Sequence, residues 1–405
     1  MPAQQTVLIP TKLDNVARDL LQEKGFNVIV DVEKSLDELA AEYPQTTVLI
    51  VRSDKVPQSI IDKFPNLRLI VRAGAGYDNI DIKYARLKNI DVMNTPGANS
   101  NAVAEEVIAM ALAMMRYLIP ADASTRQGLW EKKKFMGREL TGKTVGIIGM
   151  GNIGQLLVKR LRGFDNVILT YDPMLTQSRA DELGVQLCDL PTIFEQSDIV
   201  SLHIPENEHT RGIVNKDLLA RMKEGALLIN CARAGIIAEE DLREIKREKT
   251  IYFATDVYPK DEPGPKSVAD IADIMLPHLG ASTFEANYNA AYKAAQQIID
   301  YIQLGVKQNI VNRPIPPALD ETYLRLAFLL ARCAHQYLKQ QPVTTIEASF
   351  YGDLDQYAEY LIPPIVMGLS GEFDPFFDYT EARAFLAEKG ITFKQREPDN
   401  RKGYG

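Results

Sequence analysis

Three ionisable side chains in the middle of the chain sit just past apolar runs. Arg233 closes Leu228-Ile229-Asn230-Cys231-Ala232-Arg233, Glu262 lies in Asp256-Val257-Tyr258-Pro259-Lys260-Asp261-Glu262-Pro263, and His278 follows Met275-Leu276-Pro277. A guanidinium can clamp a carboxylate with two parallel hydrogen bonds and polarise the carbonyl beside it. An imidazole can take a proton from a hydroxyl, and a neighbouring carboxylate can fix its orientation and raise its pKa. Together these are the groups needed to move a proton and a hydride on a 2-hydroxy acid. Each also has a plainer reading. A His after Pro can be a satisfied loop residue, Arg-Ala-Gly can end a strand, and Glu262 can be solvated beside Pro263.

Upstream lies the motif that would serve such a trio. The apolar run Val145-Gly146-Ile147-Ile148 leads into Gly149-x-Gly151-x-x-Gly154 with Asn152 and Ile153 inside it, and a second run, Asn166 to Tyr171, ends at Asp172. Strand, glycine turn, helix, strand and acid form the order of a dinucleotide site. The first glycine permits a tight turn, the second admits a pyrophosphate, and the third brings the helix close to the sheet. Asp172 can accept from the ribose hydroxyls. Pro173 and Met174 follow it, with no cation to meet a 2′-phosphate, so the expected cofactor is NAD. His203, ending the run Ile199 to His203, reads as lining the adenine or ribose side. No basic context marks Cys231 as a nucleophile.

The elements that must position these residues alternate. Strands are expected at Val7–Ile9, Val28–Val30, Val48–Val51, Leu67–Val71 and Val92–Asn94, with helical patterns between them, and a long apolar helix at about 102–118. A second series starts at Lys143, with later strands at Val185–Leu187, Ala226–Asn230, Ile251–Thr255 and Ile274–Leu276. Such alternation gives an α/β fold of two doubly wound parallel sheets. The expected domains are 1–98, rejoined by about 287–312 through a helix from about Phe284 to Leu304, then 99–286, then a small α/β domain at 313–405. That helix could instead belong wholly to the second domain. The proline-rich Asn312–Pro317 stretch reads as a linker, and the polar residues from Arg396 onward read as a mobile tail.

Composition sets the class. With 405 residues, 46% hydrophobic and 25% charged, the chain has the make-up of an ordinary globular protein of two or three domains. A net charge of −8 argues against nucleic acid as partner, yet leaves room for a small anionic substrate. The N-terminus has no signal-peptide pattern, and Val107 to Met115 is too short to cross a membrane. Three scattered cysteines offer neither a metal set nor disulfide spacing, which fits a reducing, cytoplasmic setting.

The glycine motif, Asn230-Cys231-Ala232-Arg233-x-Gly235, Ala254-Thr255-Asp256-Val257-Tyr258 with Glu262-Pro263, and Pro277-His278-Leu279-Gly280-Ala281-Ser282-Thr283 resemble the D-2-hydroxyacid dehydrogenase family over about residues 5–312. Arg52-Ser53, Arg72 to Asp81, Asn94-Thr95-Pro96, Asn99-Ser100 and Trp130 to Gly137 resemble, within it, the branch acting on 3-phosphoglycerate. The resemblance implies a flavodoxin-like substrate domain, a Rossmann NAD domain and a regulatory-type C-terminal domain with no ACT domain after it. It implies that Arg233 binds the substrate carboxylate, that His278 is the acid/base and that Glu262 pairs with it. Asp256 would hold the nicotinamide carboxamide. Cofactor contacts would extend to His203, Ile204, Cys231, Ala232, Arg233, His278 and Gly280. Substrate contacts would come from Arg52, Ser53, Ala75 and Gly76 across an interdomain cleft, with Asn99 and Lys134.

The Lys132–Lys134 run is either a solvated face or, as in that branch, a reach into a neighbouring subunit of a homodimer or homotetramer joined through the NAD domain. Ala234 departs from the family, which has glycine there; a positive φ would cost on the order of 1 kcal/mol. The implied reaction is NAD-dependent oxidation of 3-phosphoglycerate to 3-phosphohydroxypyruvate, the entry to serine synthesis. Hydroxypyruvate, glyoxylate or D-lactate chemistry, or a non-catalytic NADH-sensing scaffold, are the alternatives.

Overall fold

The computed structural model describes residues 5–397 apart from 314–315, 317–318, 339–342, 371–372 and 375. Half of the proline linker and most of the polar tail therefore lie outside the described residues. The chain forms two compact units, one made of Met1–Pro96 with Tyr288–Gly405 and the other of Gly97–Asn287.

In the first unit, β1 (Thr6–Ile9), β2 (Asn27–Val30), β3 (Val48–Val51), β4 (Leu69–Arg72) and β5 (Asp91–Asn94) form a parallel sheet in the order β2-β1-β3-β4-β5. That is the flavodoxin-type order, and ligands of such sheets bind at the carboxyl ends of the strands. β1, β3 and β5 are buried along their whole lengths, as strands of a sheet covered on both faces should be.

In the second unit, β6 (Thr144–Ile148), β7 (Val167–Tyr171), β8 (Gln186–Leu187), β9 (Ile199–Leu202), β10 (Leu227–Asn230), β11 (Tyr252–Thr255) and β12 (Ile274–Met275) make a seven-stranded sheet in the order β12-β11-β10-β9-β6-β7-β8. Every pairing is parallel. This is the Rossmann arrangement with one extra strand, reversing direction at β6, where the glycine motif sits. Leu157, Val158 and Leu161 of the helix Asn152–Leu161 cover one face with Val107 and Met110. Leu218, Leu219, Leu242 and Ile245 cover the other. Each such side chain contributes about 1.5–3 kcal/mol of burial.

The long apolar helix is shorter than its pattern. It runs Ser100–Met115, Tyr117 turns left-handed (φ 52°), and a separate helix, Leu118–Arg126, follows. The break is a backbone event, invisible to hydrophobic periodicity. The helix Phe284–Ile299 starts in the second unit and continues in the first, where Val311 N donates to Val92 O beside β5 at 2.8 Å.

The C-terminal part carries the helices Glu321–Tyr337, Ala358–Leu369 and Tyr379–Glu388, and the parallel pair β13 (Thr345–Ser349) and β14 (Thr392–Arg396). Its core gathers Leu324, Ala331, Leu361 and Ile365, with Ile362, Val366, Phe373 and Leu386.

Candidate active site

β6 ends in the glycine loop, and each glycine there has a separate reason. Gly149 has φ of 100°, and a Cβ on it would lie 2.6 Å from the His203 carbonyl oxygen. A Cβ on Gly154 would lie 2.3 Å from the Gly149 oxygen, so only glycine brings the helix Asn152–Leu161 this close to the strand. A Cβ on Gly151 would meet nothing within 4 Å. The space above Gly151, at the helix N-terminus, is where a pyrophosphate can approach the backbone. Asp172, at the end of β7, accepts from Met150 N and Met174 N, both at 2.8 Å, which fixes its carboxylate beside that loop. The residues present fit a dinucleotide with a free 2′-hydroxyl.

β9 delivers His203 and Ile204. Burial pushes His203 down to about 4, and Ser201 Oγ lies 2.8 Å from its Nε2. It is neutral at ordinary pH, consistent with lining rather than proton transfer.

β10 ends at Asn230, which is 1% exposed. Its side-chain amide donates to Arg233 O at 2.9 Å while its Oδ1 accepts from Ala232 N at 3.0 Å, stapling the loop that carries Cys231, Ala232 and Arg233. The Arg233 guanidinium donates to Ala232 O at 2.7 Å. Ala234 opens a short 3-10 turn, Ala234–Ile236, without a positive φ, so the missing family glycine costs no strain. Gly235 N donates to Glu206 Oε2, and a Cβ there would collide with that carboxylate. Burial, with Glu106 and Asp256 nearby, pushes the Cys231 thiol well up, which leaves it inert.

β11 and β12 bring the remaining residues together. Asp256 accepts from Leu279 N at 2.7 Å and Gly280 N at 2.9 Å. Successive amides can converge on one carboxylate because His278 is left-handed, with φ of 57°. A non-glycine residue held there is strained, a feature that gathers at functional sites. The imidazole Nδ1 of His278 lies 2.6 Å from Asp261 Oδ2.

The pairing expected of Glu262 is thus not the one formed. Lys266 Nζ takes the carbonyls of Lys260 and Glu262, the Glu262 side chain is 61% exposed at 3.9 Å from Lys260 Nζ, and the adjacent acid turns to the imidazole instead.

The remaining candidates stand on other loops. Arg52 and Ser53 follow β3, and Ala75 and Gly76 follow β4, all in the first unit. Asn94 Nδ2 donates to Ala75 O at 2.6 Å, and Asn79 Nδ2 to Asp54 O at 2.6 Å, which shapes both loops. Burial lowers the Arg52 guanidinium from its ordinary value. In the second unit, Asn99 Oδ1 is buried with no protein partner. Lys134 is exposed and lies 3.4 Å from Glu131.

Asn230, Asp261, Glu206 and Glu106 escaped the sequence reading. Asn230 had a signal in opening the Asn230-Cys231-Ala232-Arg233 motif, and Glu106 another, since it interrupts the buried stripe of Val103, Val107 and Met110.

Residues 108–280 match the family model described as D-isomer specific 2-hydroxyacid dehydrogenase, NAD binding domain. The chain is 34% identical to the D-3-phosphoglycerate dehydrogenase of Archaeoglobus fulgidus over 98% of its own length and 77% of the relative's. The chain belongs to the D-isomer-specific 2-hydroxyacid dehydrogenase family. As a member it is an NAD-dependent dehydrogenase acting on the CH–OH group of a 2-hydroxy acid. It is also 40% identical to the hydroxypyruvate reductase of Thermotoga maritima, over 75% of this chain and 100% of that one. Among solved structures of the family, the NAD-bound 3-phosphoglycerate dehydrogenase of Entamoeba histolytica is 32% identical, with a TM-score of 0.65 over 77% of this chain and 100% of that one. No helix among the described residues is long and apolar enough to cross a membrane.

Proposed function

We propose that the chain oxidises 3-phospho-D-glycerate to 3-phosphohydroxypyruvate with NAD. The observation that carries this reading is the reach of the similarity: the phosphoglycerate dehydrogenase match spans 98% of the chain and takes in the C-terminal part, whereas the hydroxypyruvate reductase match covers 75%. That 40% identity keeps hydroxypyruvate reduction as the second reading.

In the proposed mechanism, NAD supplies the hydride acceptor. Gly149, Gly151 and Gly154 with Asn152 and Ile153 would hold its pyrophosphate, and Asp172 its ribose. Asp256 would take the carboxamide, with Ile204, Cys231, Ala232 and Gly280 lining the rest. Arg233 binds the substrate carboxylate, and His278 removes the hydroxyl proton. An acid of the Asp261–Glu262 pair orients His278: Asp261 makes the contact here, and Glu262 takes it during turnover, as the family pattern implies. Arg52, Ser53, Ala75, Gly76, Asn99 and Lys134 would contact the rest of the substrate, Arg52 and Lys134 its phosphate. Met1–Pro96 with the returning segment would be the substrate domain, and the C-terminal part a regulatory one. The exposed Leu118, Ile119, Trp130 and Met136 support a homo-oligomer built on the second unit.

R52A tests the phosphate assignment. It should raise KM for 3-phosphoglycerate at least ~10-fold, the order of one lost charged hydrogen bond, with little change in kcat. An unchanged KM would remove the phosphate from this site.

A further inference from the structure

One buried group near the site has no part in the proposed chemistry. Glu106, in the helix Ser100–Met115, extends toward Gly280, where a Cβ would lie 3.2 Å from Glu106 Oε2 and 3.5 Å from Asp256 Oδ2. Two carboxyls thus flank the same glycine. Asp256 is 1% exposed and receives two backbone amides, from Leu279 and Gly280. Glu106 Oε2 is buried and receives no protein donor. The other titratable groups facing the pair are the Cys231 thiol after β10, Tyr258 after β11, whose hydroxyl donates to Leu276 O at 2.8 Å, and His278 after β12. On the helix itself Glu105 turns away, toward Arg160 at 3.6 Å.

Two buried carboxylates side by side cannot both stay ionised. The two amides favour the charged form at Asp256, so the proton resides on Glu106. We propose that Glu106 is a positioning residue for His278: it holds a proton against Asp256, and this lets Asp256 grip the Leu279 and Gly280 amides that set the left-handed turn at His278. The neutral Glu106 and charged Asp256 carry one negative charge between them. Ionising Glu106 sets a second charge against the first and loosens that grip.

Burial and then the Asp256 charge push Glu106 up to about 8. The folded value lies above the ordinary one of 4.5, so the folded chain keeps a proton that the unfolded chain releases. The resulting stability is complete below about pH 4.5 and is lost as pH rises to about 8.

The inference rests on His278 as the proton-handling group, but its test needs neither substrate nor cofactor. Thermal melts of the full chain are run from about pH 5 to about pH 9, in wild type and in E106Q, whose amide cannot ionise. The two Tm values should coincide near pH 5, and E106Q should lead by several degrees near pH 9. Parallel curves across the range would overturn the proposal. If E106Q does not fold, infrared spectra of the wild type decide: a protonated-carboxyl band that fades as pH passes about 8 supports it, and no such band at neutral pH overturns it. In turnover, the E106Q pH profile should lose an alkaline fall in kcat that wild type shows, with KM for substrate little changed. A failed R52A result would leave these melts unaffected.

Discussion

Two buried polar clusters in this chain are built on opposite principles. In the first unit, Asp91 is 1% exposed yet fully matched: Tyr301 Oη donates to it at 2.6 Å, Arg313 Nη2 lies at 2.8 Å, and Arg86 Nη1 at 3.4 Å. Lys307 stacks on the Tyr301 ring at 4.8 Å and donates to Phe377 O, and Arg313 lies 3.5 Å from Asp378. This cluster ties the β5 edge to the C-terminal part, and each of its acids faces a base. In the second unit, Glu106, Asp256 and Cys231 are all acids, gathered behind a strained His278. A cluster that only holds structure gathers partners of both signs. One that leaves charges mismatched keeps a proton available for work.

The largest effect should come from the mismatched cluster. H278Q should lower kcat by ~10²–10⁴-fold while Tm moves little, because the side chain is exposed and its loss empties no core. E262Q should lower kcat more than D261N; the reverse order would mean that the contact seen here is the working one.

The matched cluster should respond in stability alone. D91N leaves Arg313 with only the more distant Asp378 carboxylate and should cost about 3 kcal/mol in urea unfolding, with NADH affinity unchanged. Equal losses in both readouts would erase the distinction between the clusters.

The smallest effect belongs to Lys307, which burial pushes down to about 7 from its ordinary 10.5. Between those values the unfolded chain binds a proton that the folded chain lacks, so stability rises with pH from about 7. K307M should flatten that rise and otherwise cost under ~1 kcal/mol. An unchanged pH slope would contradict the assignment.

Much of this was legible in the residues. Apolar runs such as Val48-Leu49-Ile50-Val51 and Leu227-Leu228-Ile229 marked the buried parallel strands, and Gly149, Gly151 and Gly154 marked the tight turn between β6 and its helix, because spacing there translates directly into local geometry. What stayed hidden depends on backbone torsion or on contacts between distant segments. No pattern announces Tyr117 as a left-handed break or His278 as a left-handed turn. Nor could spacing choose between Asp261 and Glu262, since neighbouring residues on an exposed loop differ only in which side they face. Asp91 and Tyr301 are too far apart in sequence for any motif to join them.

The proposed reaction passes hydride from a phosphorylated D-2-hydroxy acid to NAD. NADH formation followed with 3-phosphoglycerate, D-glycerate and D-lactate at equal concentrations tests it most directly. kcat/KM for 3-phosphoglycerate should stand at least ~10²-fold above the other two, the order of two lost charged hydrogen bonds to the phosphate. Turnover with none of the three, or a preference for an unphosphorylated acid, would contradict it.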